Sequence, residues 1–254
     1  MAPAYKLTYF NITGLGEPIR FLLSYGGLEF EDNRIDRENN WPSIKPNMPF
    51  GQVPILEHKG KTVHQSVAIC RYLAKQVKLV GKDDWEDLEI DAIVDTINDL
   101  SGKIALYHYE EDKSIKDAKG GLLFNETLPF YLEKLDSLAK KNNGYLVLGR
   151  LTWADIYFAA NWDYIDYMAN KQLIANYSNL QTVKANVEAI PNVKAWIAKH
   201  MAPAYKLTYF DISALGEPIR FLLSYGGLEF EDNRIHHENW SSIKANLPFG
   251  QYQY

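Results

Sequence analysis

A proline that opens a strand constrains this chain more than any other residue. In Gly51-Gln52-Val53-Pro54-Ile55-Leu56-Glu57 an apolar strand runs on from Pro54, yet proline has no N–H to give a ladder, so it belongs at a strand's first residue, an edge or a turn. Only X-Pro bonds adopt cis with any frequency. A cis Val53-Pro54 bond turns the N–H and C=O of Val53 outward, toward a ligand. Twelve positions after Pro54, Ser66 opens the apolar-periodic run Ser66-Val67-Ala68-Ile69-Cys70-Arg71-Tyr72-Leu73, which predicts a helix. The unpaired N–H groups, dipole and hydroxyl at its start suit a carboxylate. Together the two pieces predict a site for a small extended peptide with a free α-carboxylate. Taken alone, they fit a plain hairpin leading into a capped helix equally well.

The residues before this stretch add a layout. Tyr5 to Phe10 alternates as a strand, Gly14 and Gly16 break it, and Pro18 sits where a first helical turn tolerates proline, ahead of Ile19, Phe21, Leu22 and Leu23. Phe30 to Ile35 reads as a second strand leading into a polar loop with Trp41 and Lys45. The order β-α-β, then β-β-α, predicts a thioredoxin-like α/β domain. It contains no Cys-x-x-Cys, and the single cysteine, Cys70, falls mid-helix on a packed face, so disulfide chemistry is not expected. Gly14-Leu15-Gly16 mimics a dinucleotide loop but lacks the third glycine, and reads as a strand-to-helix turn.

Five motifs carry a resemblance: Tyr5-Lys6-Leu7-Thr8-Tyr9-Phe10, Trp41-Pro42-Ser43-Ile44-Lys45-Pro46, Met48-Pro49-Phe50-Gly51-Gln52-Val53-Pro54, His64-Gln65-Ser66-Val67-Ala68-Ile69 and Leu151-Thr152-Trp153-Ala154-Asp155. Over residues 1 to 200 the chain resembles a cytosolic glutathione transferase of the sigma class, in particular the insect members, and is similar to the glutathione-dependent prostaglandin D synthases. The resemblance implies glutathione as co-substrate, Tyr9 as the catalytic tyrosine, and Trp41, Lys45, Gln52, Val53, Gln65 and Ser66 as its holders, with Pro54 the cis proline. Glutathione is anionic at both ends. Lys45 and Trp41 suit its glycine carboxylate, Val53 its cysteinyl backbone, and Gln65 with Ser66 its γ-glutamyl end. A hydroxyl donating to the sulfur favours thiolate over thiol. The expected reaction is conjugation to electrophiles such as aryl halides and lipid-peroxidation aldehydes. A crystallin-like structural protein, a ligand carrier and a prostaglandin isomerase are the alternatives on the same fold. Leu15 stands where the prostaglandin synthases carry Arg, which argues against efficient isomerisation. Glu38-Asn39-Asn40-Trp41 is one residue longer than the family spacing.

From Asp84 the period becomes helical. Leu88, Ile90, Ile93, Val94, Ile97, Leu100 and Ile104 form an apolar stripe, and Asp91, Asp95 and Asp99 recur on another face, which by spacing is a solvated one. By resemblance Asp99 reaches the glutathione amino group of the other subunit in a homodimer, and Phe10, Leu15, Leu106 and Tyr157 line the second-substrate pocket. Thr152 and Asp155 form a capping box at a helix start.

At Met201 the opening of the chain begins again, and through Ile235 only Asp211, Ser213 and Ala214 differ from Asn11, Thr13 and Gly14. This copy runs through Trp240, Lys244 and Pro248-Phe249-Gly250-Gln251, then lacks the Val-Pro strand, the fourth strand and the Gln-Ser helix. The expected organisation is a thioredoxin-like glutathione-binding domain over 1–80, an all-α helical bundle over 81–200, and an incomplete duplicate of residues 1–52, a partial β-α-β repeat, over 201–254. A β-α-β piece without partner strands cannot cover its helix, so Phe221, Leu222 and Leu223 are expected to be partly exposed. Tyr209, the counterpart of Tyr9, is expected to be without catalysis.

Composition narrows the partners. With 46% hydrophobic residues among 254, the chain can bury a core. A net charge of −5 without a basic cluster argues against nucleic acid, and no apolar run approaches the roughly 20 residues that span a bilayer. One cysteine and no signal-peptide core predict a reducing cytoplasm, where sequons such as those at Asn11, Asn125 and Asn176 are silent. His236-His237 has no third ligand in view, and no metal is expected.

Overall fold

A computed structural model describes residues 3–200, 205–226, 230–236 and Trp240. β1 (Tyr5–Phe10), α1 (Glu17–Tyr25) and β2 (Phe30–Ile35) form a parallel β-α-β unit, followed by β3 (Ile55–His58), β4 (Lys61–His64) and α3 (Ser66–Gln76). The sheet order is β2-β1-β3-β4, with β1 parallel to β2 and β3 antiparallel to β1. Pro54 precedes β3 and therefore costs the ladder nothing, and the Val53-Pro54 bond is cis. α1 packs on α3, burying Ile19, Phe21, Leu22 and Leu23, the apolar set its spacing indicated. The stretch read as a polar loop is instead partly helical: α2 (Trp41–Ile44) and two short 3₁₀ turns, each carrying a proline in its first turn where the missing N–H has no helical partner to lose.

The second half is all helical. α4 (Asp84–His108), α5 (Lys113–Leu122), α6 (Leu128–Lys141), α7 (Trp153–Ala169), α8 (Ser178–Glu188) and α9 (Pro191–His200) follow in order. α7 is the central helix and is buried on all sides from Trp153 through Trp162, with Trp153, Ile156, Tyr157, Phe158 and Trp162 all within 2% exposure. Its start is the expected capping box, in which the Asp155 carboxylate accepts from the Thr152 N–H at 2.8 Å. Asp155 also accepts the buried N–H of Leu146 at 2.7 Å, so this carboxylate ties the preceding loop to the helix. Desolvation pushes its carboxyl up to about 6, against the pull of the Leu146 and Thr152 donors.

Two expectations for α4 need correction. Ile90, Val94, Ile97, Leu100 and Ile104 are buried, but Leu88 is 54% exposed, because it falls outside the face turned to α7. Asp91 does not belong to a purely solvated row: Arg71 of α3 donates its Nε to both carboxylate oxygens, at 3.0 and 2.9 Å. That pair joins the two halves, as do Arg150 Nη1 to the Val80 carbonyl at 3.2 Å and Trp196 Nε1 to Glu17 at 2.7 Å.

A separate compact unit begins at Ile197. Within it β5 (Tyr205–Phe210), α10 (Gly216–Tyr225) and β6 (Phe230–Ile235) repeat the first β-α-β unit with the same strand register, Tyr205 opposite Phe230 as Tyr5 is opposite Phe30. Phe221 and Leu222 are 67% and 70% exposed, whereas Phe21 and Leu22 are 2% and 0% exposed. The sheet of this unit has only two strands among the described residues. No described helix is long and apolar enough to cross a membrane.

Asp155→Ala removes the α7 cap and leaves the Leu146 N–H buried without an acceptor. Urea unfolding is expected to show a loss of about 2–4 kcal/mol.

Candidate functional site

The site begins with Tyr9, which β1 carries at the sheet's centre and which is 6% exposed. The turn after β1 must pass close over its ring. Gly14 has φ +40°, and a Cβ there would lie 2.9 Å from the Tyr9 hydroxyl oxygen; at Gly16 a Cβ would lie 2.5 Å from Tyr9 Cδ1. The two glycines are therefore the condition for the turn to reach the hydroxyl, and at that point the Leu15 N–H donates to the Tyr9 oxygen at 3.1 Å.

Arg20 holds the turn. Its fully buried guanidinium donates to the Ile12 carbonyl at 2.9 Å, to Glu17 at 3.0 Å and to Asp32 at 3.0 Å, and it lies 5.9 Å from the Tyr9 ring centre. Burial raises the Tyr9 pKa above its ordinary value, while the Leu15 N–H and the Arg20 charge pull it down. Tyr9 thus keeps its proton at neutral pH. Because its oxygen already accepts from Leu15, the proton is left to donate to a ligand.

Beside this hydroxyl, the segment before β3 and the start of α3 enclose a small cleft lined by Leu15, Gln52, Val53, Pro54, His64, Gln65 and Ser66. Six of these seven are residues singled out from the sequence; His64 is the addition. Ser66 is the first residue of α3 and is buried, and Gln65 before it has φ +77°. Trp41 opens α2 and sets its ring edge-on against Phe10, 5.2 Å between centroids. The Lys45 stem runs along Gly51, where a Cβ would meet its Cε at 3.4 Å. Leu106 and Asp99 are both exposed on α4, and neither is among the residues that line this cleft.

Tyr157 is a correction. It is 2% exposed, its ring meets Trp153 edge-on at 6.2 Å, and its hydroxyl donates to Asn98 at 3.2 Å. α7 turns it into the helical core, and it does not line the cleft beside Tyr9. The tyrosines of the helical half that Tyr9 feels electrostatically are Tyr109 and Tyr164, whose hydroxyls are 3.0 Å apart. Sequence reading missed this pair, along with Arg20 and the Leu15 N–H. The glycines flanking Leu15 were the available signal for the last of these.

Residues 5–75 match the family described as "Glutathione S-transferase, N-terminal domain", and residues 98–200 match "Glutathione S-transferase, C-terminal domain". The chain belongs to the glutathione S-transferase family. It is 57% identical over 197 residues to a glutathione S-transferase of Anopheles gambiae, covering 78% of this chain and 97% of that protein. It is 37% identical over 201 residues to the hematopoietic prostaglandin D synthase of Rattus norvegicus, covering 78% of this chain and 96% of the relative. Among solved structures, prostaglandin synthase D of Nilaparvata lugens superposes with a TM-score of 0.74 at 47% identity, covering 78% of this chain and 98% of that one. The fold is accordingly the glutathione S-transferase fold, a thioredoxin-like α/β domain with a helical domain.

In this family member Gly14→Ala forces a methyl toward the Tyr9 hydroxyl in a left-handed conformation. Stability is expected to fall by about 1–2 kcal/mol. Turnover, measured at saturating substrate, is expected to fall at least about tenfold, roughly 1.4 kcal/mol of barrier.

Proposed function

We propose that this chain is a sigma-class glutathione transferase that joins the glutathione thiolate to electrophilic small molecules, aryl halides and lipid-peroxidation aldehydes among them, in detoxification. The observation that carries this reading is the Tyr9 hydroxyl, its oxygen held by the Leu15 N–H and its proton free, beside the cleft of Gln52, Val53, Gln65 and Ser66. Tyr9 donates to the glutathione sulfur and favours the thiolate, whose proton leaves to solvent. The sulfur then bonds to the electrophilic carbon; with an aryl halide, the halide departs with the electron pair of the broken bond. A two-unit drop in the thiol pKa corresponds to about 2.7 kcal/mol of thiolate stabilisation.

Binding follows charge. Lys45 and Trp41 take the glycine carboxylate, Val53 beside Pro54 pairs with the cysteinyl backbone, and Gln52, Gln65 and Ser66 hold the remainder. Asp99 meets the glutathione amino group of the other subunit in a homodimer, consistent with its exposed carboxylate having no ion pair among the described residues. Phe10, Leu15 and Leu106 face the electrophile, with Tyr109 and Tyr164 in the place earlier given to Tyr157. A cytoplasmic setting fits the single buried thiol, Cys70, whose pKa burial raises strongly.

Prostaglandin isomerisation is the second reading, favoured by the relatives named prostaglandin D synthase. It ranks lower because the Leu15 side chain brings no cation to the cleft. Residues 1–80, 81–200 and 201–254 are read as the glutathione-binding half, the helical half and an incomplete copy without catalysis. In the copy, Ala214 replaces the glycine that clears the tyrosine hydroxyl, and the buried Nη2 of Arg220 has no hydrogen-bond partner.

The purified full chain is expected to be retained on immobilised glutathione and to conjugate a generic aryl halide. Ser66→Ala is expected to weaken glutathione binding by roughly 1–3 kcal/mol while leaving saturated turnover nearly intact. Absence of both retention and conjugation overturns the reading, and an unchanged glutathione constant removes Ser66 from its place.

A further inference from the structure

The second β-α-β unit leaves open what the first one closes. Both matched domains end by residue 200, so β5, α10 and β6 lie beyond them. The unit repeats residues 5–35 with three differences, Asp211, Ser213 and Ala214, all in the turn between β5 and α10 and none in a strand or the helix. It therefore needs the same cover as the first unit. There β3 pairs antiparallel along Tyr5 to Thr8, and α3 and α7 lie on α1.

That cover is missing among the described residues. At about 100° per residue, helical spacing places Leu215, Ile219, Phe221, Leu222 and Tyr225 in one uncharged arc of roughly 160°, and all five are exposed, Tyr225 at 94%. The opposite side of α10 is held to the sheet: Arg220 donates its Nε to Asp232 of β6 at 2.9 Å, and a Cβ at Gly216 would lie 2.6 Å from Tyr209 Cδ1 of β5. Along β5, Tyr205 is 49% exposed where Tyr5 is 6%, and no third strand among the described residues takes the edge that β3 takes in the first sheet. A monomer rarely exposes a contiguous apolar patch above a few hundred Å². The stripe and the edge together are comparable with the roughly 800 Å² that each partner gives to a stable interface.

The sequence itself supplies two candidate occupants. The β3-β4-α3 segment has the right shape, but in each copy residues 5–35 already fill it, so trading one repeat for the other buries nothing extra. A second tail unit gains burial on both sides. A two-fold axis normal to the sheet sets two β5 strands antiparallel, the direction in which β3 meets β1, and puts both helices on one face. Because α10 touches both of its strands, and strands lie about 4.8 Å apart, the two α10 axes fall about 10 Å apart, the spacing of packed helices.

We propose that the tail unit pairs with the tail unit of a second copy of this chain, β5 edge to β5 edge and α10 stripe to α10 stripe, in a four-stranded sheet ordered β6-β5-β5-β6. The pair reproduces the layout of the first domain, in which the order is β2-β1-β3-β4 and α1 packs on α3. Nothing in it draws on the transferase reading.

The test uses the full chain carrying Leu222→Cys, near the centre of the stripe, treated at low micromolar concentration with a short bismaleimide. The native Cys70 is buried and does not compete. Most chains are expected to be joined in pairs. A tenfold excess of the unsubstituted full chain is expected to suppress the joining, and the same excess of a chain ending at His200 to leave it unchanged. Ile219→Glu with Phe221→Glu, at the two borders of the stripe, is expected to cut joining at least tenfold and to speed amide exchange over Tyr205 to Thr208 at least tenfold, with melting temperature and aryl-halide conjugation unchanged. The proposal is overturned if Leu222→Cys joins no pairs, if it is shielded from maleimide without pairing, which would mean that the chain covers its own stripe, or if the unsubstituted chain fails to compete. Equal joining in the Glu variant marks chance collision and overturns it as well, and unchanged amide exchange there removes the strand pairing.

Discussion

The buried guanidinium of Arg20 is the interaction on which the rest of the first domain depends. A fully buried charge is tolerated only with partners for its N–H groups, and Arg20 finds them in Glu17, Asp32 and the Ile12 carbonyl. Those partners belong to α1, β2 and the turn between β1 and α1. The second carboxylate oxygen of Glu17 accepts from Trp196 Nε1 of α9, so the same network reaches into the helical half. Removing one partner would strand the charge, which typically costs 3–5 kcal/mol. The turn so fixed is the one that lays the Leu15 N–H on the Tyr9 oxygen. Folding and chemistry therefore share one constraint: the network that closes the β-α-β unit also decides which way the catalytic hydroxyl directs its proton.

The second β-α-β unit shows how much of this is local. Arg220 repeats the pairs to Glu217 and Asp232, and the strand register repeats as well. A sequence this closely repeated thus encodes its own small unit twice. What it does not encode is burial. The apolar face of α1 is covered because α3 and α7 lie on it, whereas the same residues of α10 stay exposed in a two-stranded unit. Cover is a property of the partner elements, and the repeated segment does not contain them.

The same distinction explains what was legible in the sequence. Pro54, the Gln65-Ser66 helix start and the Thr152–Asp155 box were readable because each is a local rule about donors, acceptors and φ angles, and the structure draws Gln52, Val53, Pro54, Gln65 and Ser66 around one cleft. Leu88 and Tyr157 were misplaced for a non-local reason: a helical period says which residues share a face, not how wide the covered arc is or which neighbour covers it. Arg20 was invisible because a lone arginine in an apolar run gives no sign that three partners wait for it in different elements. Tyr109 and Tyr164, on different helices, meet only after the helices pack.

The account rests on Tyr9 donating to sulfur, and the absorbance of bound thiolate reads that directly. Glutathione is bound to the full chain and to Tyr9→Phe, and the ultraviolet thiolate band is followed against pH. The account predicts a bound thiol in the wild type that titrates well below free glutathione, and in Tyr9→Phe a pKa about one to two units higher, with glutathione affinity within a few fold and turnover at neutral pH lower by about 1.4–2.7 kcal/mol of barrier. Thiolate titrating at the same pH in both proteins would contradict it.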